Sequence, residues 1–197
     1  MANRSYIYGL KNNKHLSIGE YPYKIPYAFR ILAAYDNSAV DSDLFDKAVG
    51  IKADFHKGRT ALYRLLDYLV ETGKMEDHEA FMAQVAATKT FLDAIDADSI
   101  LLENGEIYSL YTNQEGNYLD GPELEKANGY AVQDYTWIGE DIDNLEKFRI
   151  TPDLIFVTDH ERIREIYKWL IDLKDTWKEQ LGLDAWSNIL YFQFKEA

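Results

Sequence analysis

Fourteen carboxylates lie between residues 93 and 146 against one base, Lys126, so this stretch alone accounts for the chain's net charge of −13. Outside it, 20 acids face 20 bases. Like charges at this density repel one another and oppose compaction, so a fold of the chain is expected to keep most of them on a solvated surface. Six aromatic residues are interleaved with them: Tyr108, Tyr111, Tyr118, Tyr130, Tyr135 and Trp137. Two arrangements meet both demands. In one, the rings turn inward and the acids keep the surface soluble. In the other, the rings stay outside as anchors within a rim of charge, which suits a basic protein surface.

The remaining composition is that of a folded protein, 47% hydrophobic and 14% aromatic over 197 residues. That length fits a single domain over residues 1–197, against a prior of roughly 150 residues per domain, and can bury a sizeable core unaided. Cysteine is absent, which excludes disulfides, zinc–thiolate sites and thiol nucleophiles and fits a reducing compartment. The opening residues lack a secretory leader, since Lys11 follows the short apolar stretch after Arg4. No apolar run is long enough to span a bilayer. The expectation is a soluble cytoplasmic protein, with neither membrane nor nucleic acid as a partner, because both are anionic.

Residues 4–10 alternate Tyr6 and Tyr8 against Ile7 and read as a strand. Pro22 and Pro26 enforce an extended or turning path, and Pro26 can open a short helix that buries Phe29, Ile31 and Leu32. Residues 36–46 are polar and turn-rich. Leu62, Leu65, Leu66 and Leu69 share one face of a helix that ends at Gly73. Phe81, Val85, Thr88, Leu92 and Ile95 stripe a second, antiparallel to the first. Asn104-Gly105 between apolar runs predicts a β-hairpin, because both residues tolerate positive φ. The glycine-dotted acidic segment after it reads as loops with one or two short helices, one starting near Asp120-Gly121-Pro122-Glu123. A buried strand over 154–157, a helix over 163–181 ended by Gly182 and a final strand over 188–194 complete the chain. The whole predicts an α+β fold, a small and mostly antiparallel sheet packed with about four helices.

Motifs that carry chemistry are missing. Asp96-Ala97-Asp98-Ser99 starts like a calcium loop, but Ile100 takes the place of the next ligand, and Asp141-Ile142-Asp143 lacks the central glycine. His15, His56, His78 and His160 show no zinc-protease spacing. Acids beside His78 and His160 complement helix starts. Lys57-Gly58-Arg59-Thr60 lacks the first glycine of a phosphate loop, and no Gly-x-Ser-x-Gly elbow occurs. Tyr6, Tyr8, Tyr21, Tyr23, Tyr27 and Tyr35 read as core-edge residues with wet hydroxyls or as the lining of a pocket for a flat ligand. No catalytic residue, metal ligand or cofactor is assigned.

The start Ala2-Asn3-Arg4-Ser5-Tyr6-Ile7-Tyr8, with the segment Tyr21-Pro22-Tyr23-Lys24-Ile25-Pro26-Tyr27-Ala28-Phe29-Arg30-Ile31-Leu32, resembles the opening of an uncharacterised bacterial protein family. The resemblance implies a bacterial cytoplasmic protein and brings no activity or catalytic residue with it. In charge character alone, the chain is also similar to immunity proteins that neutralise basic toxins. The leading expectation is a non-catalytic, immunity-like binding protein whose acidic, aromatic-rich segment captures a basic protein. Its candidate contacts are Glu103, Glu106, Tyr111, Glu115, Tyr118, Asp120, Glu123, Tyr135, Trp137, Asp141 and Asp143, the acids speeding encounter and the rings anchoring it. The alternative is an enzyme, or a metal-dependent small-molecule-binding protein, using dispersed carboxylates.

Overall fold

The computed structural model describes residues 3–45, 49–73, 75–119, 121–143, 173–192 and 194. Strands β1 (Arg4–Lys11) and β2 (Lys14–Pro22) form a hairpin. Its two turn residues, Asn12 and Asn13, have φ of 49° and 61°, the pair of positive values that matches the twist of antiparallel strands. Asparagine tolerates that region because its short polar side chain bonds locally. After Pro26 comes α1 (Tyr27–Leu32), which buries Ala28, Phe29, Ile31 and Leu32. Then follow β3 (Ser38–Asp41), β4 (Val49–Asp54), α2 (Phe55–Thr72), α3 (His78–Asp93), β5 (Ser99–Glu103), α4 (Gly105–Tyr108) and α5 (Gly121–Asp143). Residues 173–181 are helical, and Gly182 follows at φ 66°.

The sheet order is β2-β1-β5-β4-β3, and every pairing is antiparallel. The fold is α+β, as expected. Asp54 caps α2 by accepting the Lys57 amide, and Gly73 closes it in the left-handed conformation at φ 61°. Helix α3 buries the expected Phe81, Val85, Thr88 and Leu92. Tyr63 bonds Asp93 at 2.9 Å while Lys89 pairs with Asp67 at 2.5 Å, a register that sets α2 and α3 antiparallel. Ile7, Ile51, Ile100 and Leu102 point from the sheet into a core shared with Phe29, Leu62, Leu65 and Phe81. Each such side chain, once buried, contributes roughly 1.5–3 kcal/mol.

The opposite face of β1 is covered too. Tyr6 and Tyr8 are buried there with Leu190, and Leu44, Phe45, Phe192 and Phe194 pack around them. The N-terminal strand therefore alternates between two apolar layers. Of the six N-terminal tyrosines, Tyr6 and Tyr8 belong to this layer and Tyr23 is exposed.

Four expectations change. Asn104-Gly105 makes no hairpin: Asn104 has φ −109°, and Gly105 begins the single turn of α4. Strand β5 lies between β1 and β4, so both its edges are already paired and no third strand can fold back onto it. Residues 188–192 form bends in place of a strand, because their polar groups go to side chains. The Tyr191 amide donates to Glu20 at 2.7 Å, and the Phe192 carbonyl accepts the Tyr8 hydroxyl at 2.8 Å. Strand β3 falls within the segment read as turns, and the acidic segment holds one 23-residue helix, α5. The expected strand over 154–157 and the start of the helix over 163–181 lie outside the described residues.

Candidate acidic-aromatic docking surface

Strand β5 delivers the first candidate, Glu103, to the sheet face of Tyr6 and Tyr8, directly opposite Tyr6 in the β1–β5 pairing. Alternation sends Ile100 and Leu102 to the helical core, so Leu101 and Glu103 face the other way, where Glu103 is fully buried. Its Oε1 accepts the Asp43 amide at 2.8 Å, while Oε2 has no partner. Burial pushes this carboxyl above the usual carboxylate range, partly offset by hydrogen bonds from Ser42 and the Asp43 amide. Glu106 accepts the Arg4 amide at 2.9 Å and lies 3.4 Å from the Tyr6 hydroxyl. These two carboxylates hold the end of β5 to its neighbours and do not face outward as a pair.

The segment after α4 is ordered by Asn113. Its Oδ1 accepts the amides of Glu115 at 3.0 Å and Asn117 at 3.1 Å, and its Nδ2 donates to Glu123 at 3.0 Å. Gly116 supplies the left-handed residue at φ 83°. The Leu119 amide donates back to the Tyr111 carbonyl at 3.1 Å. The result is a tight loop seated on the first turn of α5, with Tyr111 52% and Tyr118 70% exposed beside Glu115.

Helix α5 is amphipathic. Asn128, Ala131, Tyr135 and Ile142 are buried, with Leu124, Ala127 and Ile138 packed beside them, the spacing of one helical face. Tyr135 bonds Tyr108 inside the core, and burial raises both hydroxyls, that of Tyr135 to about 12. Gly139 lets the helix approach α1's end: a Cβ there would lie 3.2 Å from Ala34 and 3.3 Å from Tyr35. Asp143 pairs with Arg64 at 2.6 Å and with the Tyr35 hydroxyl at 2.9 Å. On the outward face, Tyr130 is 58% and Trp137 44% exposed, with Asp134 between them. Lys126 lies 5.8 Å from the centre of the Tyr130 ring.

The structure thus gathers Tyr111, Glu115, Tyr118 and Glu123 at the loop and the start of α5, and places Trp137 further along the same helix. Asp141 is half-buried near the helix end. Glu103 and Tyr135 are buried, and Asp143 is engaged by Arg64. Asp120 lies outside the described residues. Tyr130 and Asp134 belong to the surface and were not among the candidates, although their spacing from Trp137 places all three on one helical stripe. Five of the nine large apolar or aromatic side chains that are exposed among the described residues fall between 110 and 137. Rings and carboxylates together can hold cations by π contact and by charged hydrogen bonds.

A separate polar hollow of about 540 Å³ lies on the outer sheet face, lined by residues including His15, Asp43, Lys52 and Ser99. His15 pairs there with Asp43 at 2.8 Å, a juxtaposition hidden in sequence because it depends on the sheet. Among the described residues, no three His, Cys, Asp or Glu side chains converge as metal ligands. No described helix is long and apolar enough to cross a membrane.

Residues 7–147 match a family described as a domain of unknown function, DUF7822. The match takes in the sheet from Ile7 onward, α1 to α5 and the whole acidic segment. No curated protein and no solved structure matches the chain.

Proposed function

The chain belongs to the DUF7822 family, and we propose that it is a non-catalytic binding protein whose acidic-aromatic surface captures a basic protein, in the manner of an immunity protein. One observation carries this reading. Four of the six rings interleaved with the acids, Tyr111, Tyr118, Tyr130 and Trp137, stand at the surface. A surface that only needed solubility would turn its rings inward, since exposed aromatic area gains nothing from water. Carboxylates such as Glu115, Glu125 and Asp134 supply the long-range attraction, and the rings supply contact area once water is expelled. The same field repels nucleic acid and anionic lipid. The proposed setting is the bacterial cytoplasm, and the residues that serve are Tyr111, Glu115, Tyr118, Glu123, Glu125, Tyr130, Asp134 and Trp137.

The test is capture at low salt from a lysate of the source cell. Wild type is run beside a variant carrying Glu115→Gln, Glu123→Gln, Glu125→Gln and Asp134→Asn. The reading expects basic proteins on the wild type alone, released by added salt. Identical sets on both, or nothing on either, would overturn it.

A second reading, a small-molecule or metal-dependent activity, draws on the hollow that holds the His15–Asp43 pair. Its test is a rise in melting temperature with calcium, magnesium or manganese, because a ligand that binds only the native state stabilises it. An unchanged melting temperature with all three ions removes the metal version.

A further inference from the structure

We infer that the outward stripe of α5 receives arginine side chains, two of them about 10 Å apart on one basic protein segment. This rests on the docking surface proposed above and names the chemistry it reads. Tyr130 and Trp137 are seven positions apart, so they share a face of the helix and are separated by about 10 Å along its axis. Asp134 lies between them, four residues after one and three before the other, within side-chain reach of both. A ring and a carboxylate one turn apart present what a guanidinium uses. Its plane stacks on the ring while its fork donates to the carboxylate, whereas an ammonium is a compact and strongly hydrated point charge.

The fold builds the same composite elsewhere from its own residues. Arg59 lies 5.3 Å from the Phe55 ring centre and 3.5 Å from Asp93. Arg4 lies 5.6 Å from the Tyr191 ring centre and 3.2 Å from Glu20. On the stripe itself, the one base of the acidic stretch, Lys126, is the side chain found over Tyr130. That ring therefore receives a cation in the free protein, and a partner's arginine would take over or share its place. A spacing of about 10 Å corresponds to arginines seven apart on a helix or three apart on a polyproline-II segment, whose three-residue turn puts both on one side.

The experiment titrates capped oligo-arginine and oligo-lysine peptides of equal length into the full chain at low salt, read by calorimetry. The inference expects the arginine peptide to bind at least about fivefold more tightly. That preference should vanish in the double variant Tyr130→Leu, Trp137→Leu and persist in Tyr130→Phe, Trp137→Phe, which keep the rings. The single leucine changes, each reducing the preference, carry the test if the double variant does not fold. Equal affinity for the two peptides would overturn the arginine assignment while leaving the basic-partner reading standing. A preference that survives loss of both rings would overturn the placement on this stripe. Failure of both peptides to bind would overturn both the inference and the reading beneath it.

Discussion

Gly58→Ala and Gly129→Ala make the same chemical change inside two helices, and their surroundings give them opposite signs. A methyl at Gly58 in α2 would lie 2.2 Å from the carbonyl oxygen of Leu32 and 2.8 Å from its carbonyl carbon. The obstacle is the backbone at the end of α1, whose Ala28, Phe29, Ile31 and Leu32 are all buried. No rotamer change relieves it, so α1 and α2 must separate by about 1 Å to restore van der Waals contact, loosening close-packed core. Overpacking of this kind costs about 3 kcal/mol, the upper part of the usual range. Alanine returns about 1 kcal/mol of helix propensity, leaving a net loss of about 2 kcal/mol. At Gly129 in α5 nothing lies within 4 Å of the added methyl, so the gain of about 1 kcal/mol stands alone. For a chain of this size the melting temperature should fall by about 4–8 °C for the first and rise by about 2–4 °C for the second. Calorimetry or denaturant titration reads both. A Gly58→Ala variant as stable as Gly129→Ala would refute the packing argument.

Glu103 gives a pH-dependent prediction. Its folded pKa is raised by burial, so the native state holds the proton more tightly than the unfolded chain. This contribution is full below the ordinary carboxylate value and is lost as pH rises through the raised one. Glu103→Gln should therefore be more stable than wild type at neutral pH, with the gap closing below about pH 4. A gap independent of pH would contradict the buried, raised carboxyl. Thr88, in the apolar stripe of α3, accepts the Trp186 indole N–H at 2.9 Å. Thr88→Val keeps its shape but orphans that donor, costing about 1–2 kcal/mol. Thr90→Val on the exposed face of the same helix should change stability by less than about 0.5 kcal/mol, and equal effects at the two sites would count against the indole bond.

Periodicity made α2 and α3 legible because their leucine and phenylalanine stripes are local properties of the chain. The sheet was less so. Strands β3 and β4 are short, and what makes them strands is pairing with each other and with β5, some fifty residues later in the chain. The Asn12-Asn13 turn was the available signal for β2. Asn104-Gly105 misled because turn chemistry is permissive, and a strand already paired on both sides leaves a hairpin no edge to use. In α5 the glycines suggested loops, yet Leu124, Ala131, Tyr135 and Ile142 keep helical spacing and their burial outweighs the propensity loss at Gly129. Charge marks the acidic segment in the sequence, but its inward and outward members are not separable there. Glu103 alternates away from Leu102 onto the face where Leu190, Phe192 and Phe194 pack with Tyr6 and Tyr8, a cover brought from the far end of the chain. Tyr135 and Trp137, two residues apart, lie on different sides of one helix.

The most direct test of the acidic-aromatic surface is the association rate with a basic protein retained in the capture experiment, followed by stopped flow across ionic strengths. The account predicts a rate that falls steeply as salt rises. It also predicts, at low salt, a rate roughly tenfold lower for the variant with Glu115, Glu123, Glu125 and Asp134 neutralised. A rate indifferent to salt and to those four carboxylates would contradict it.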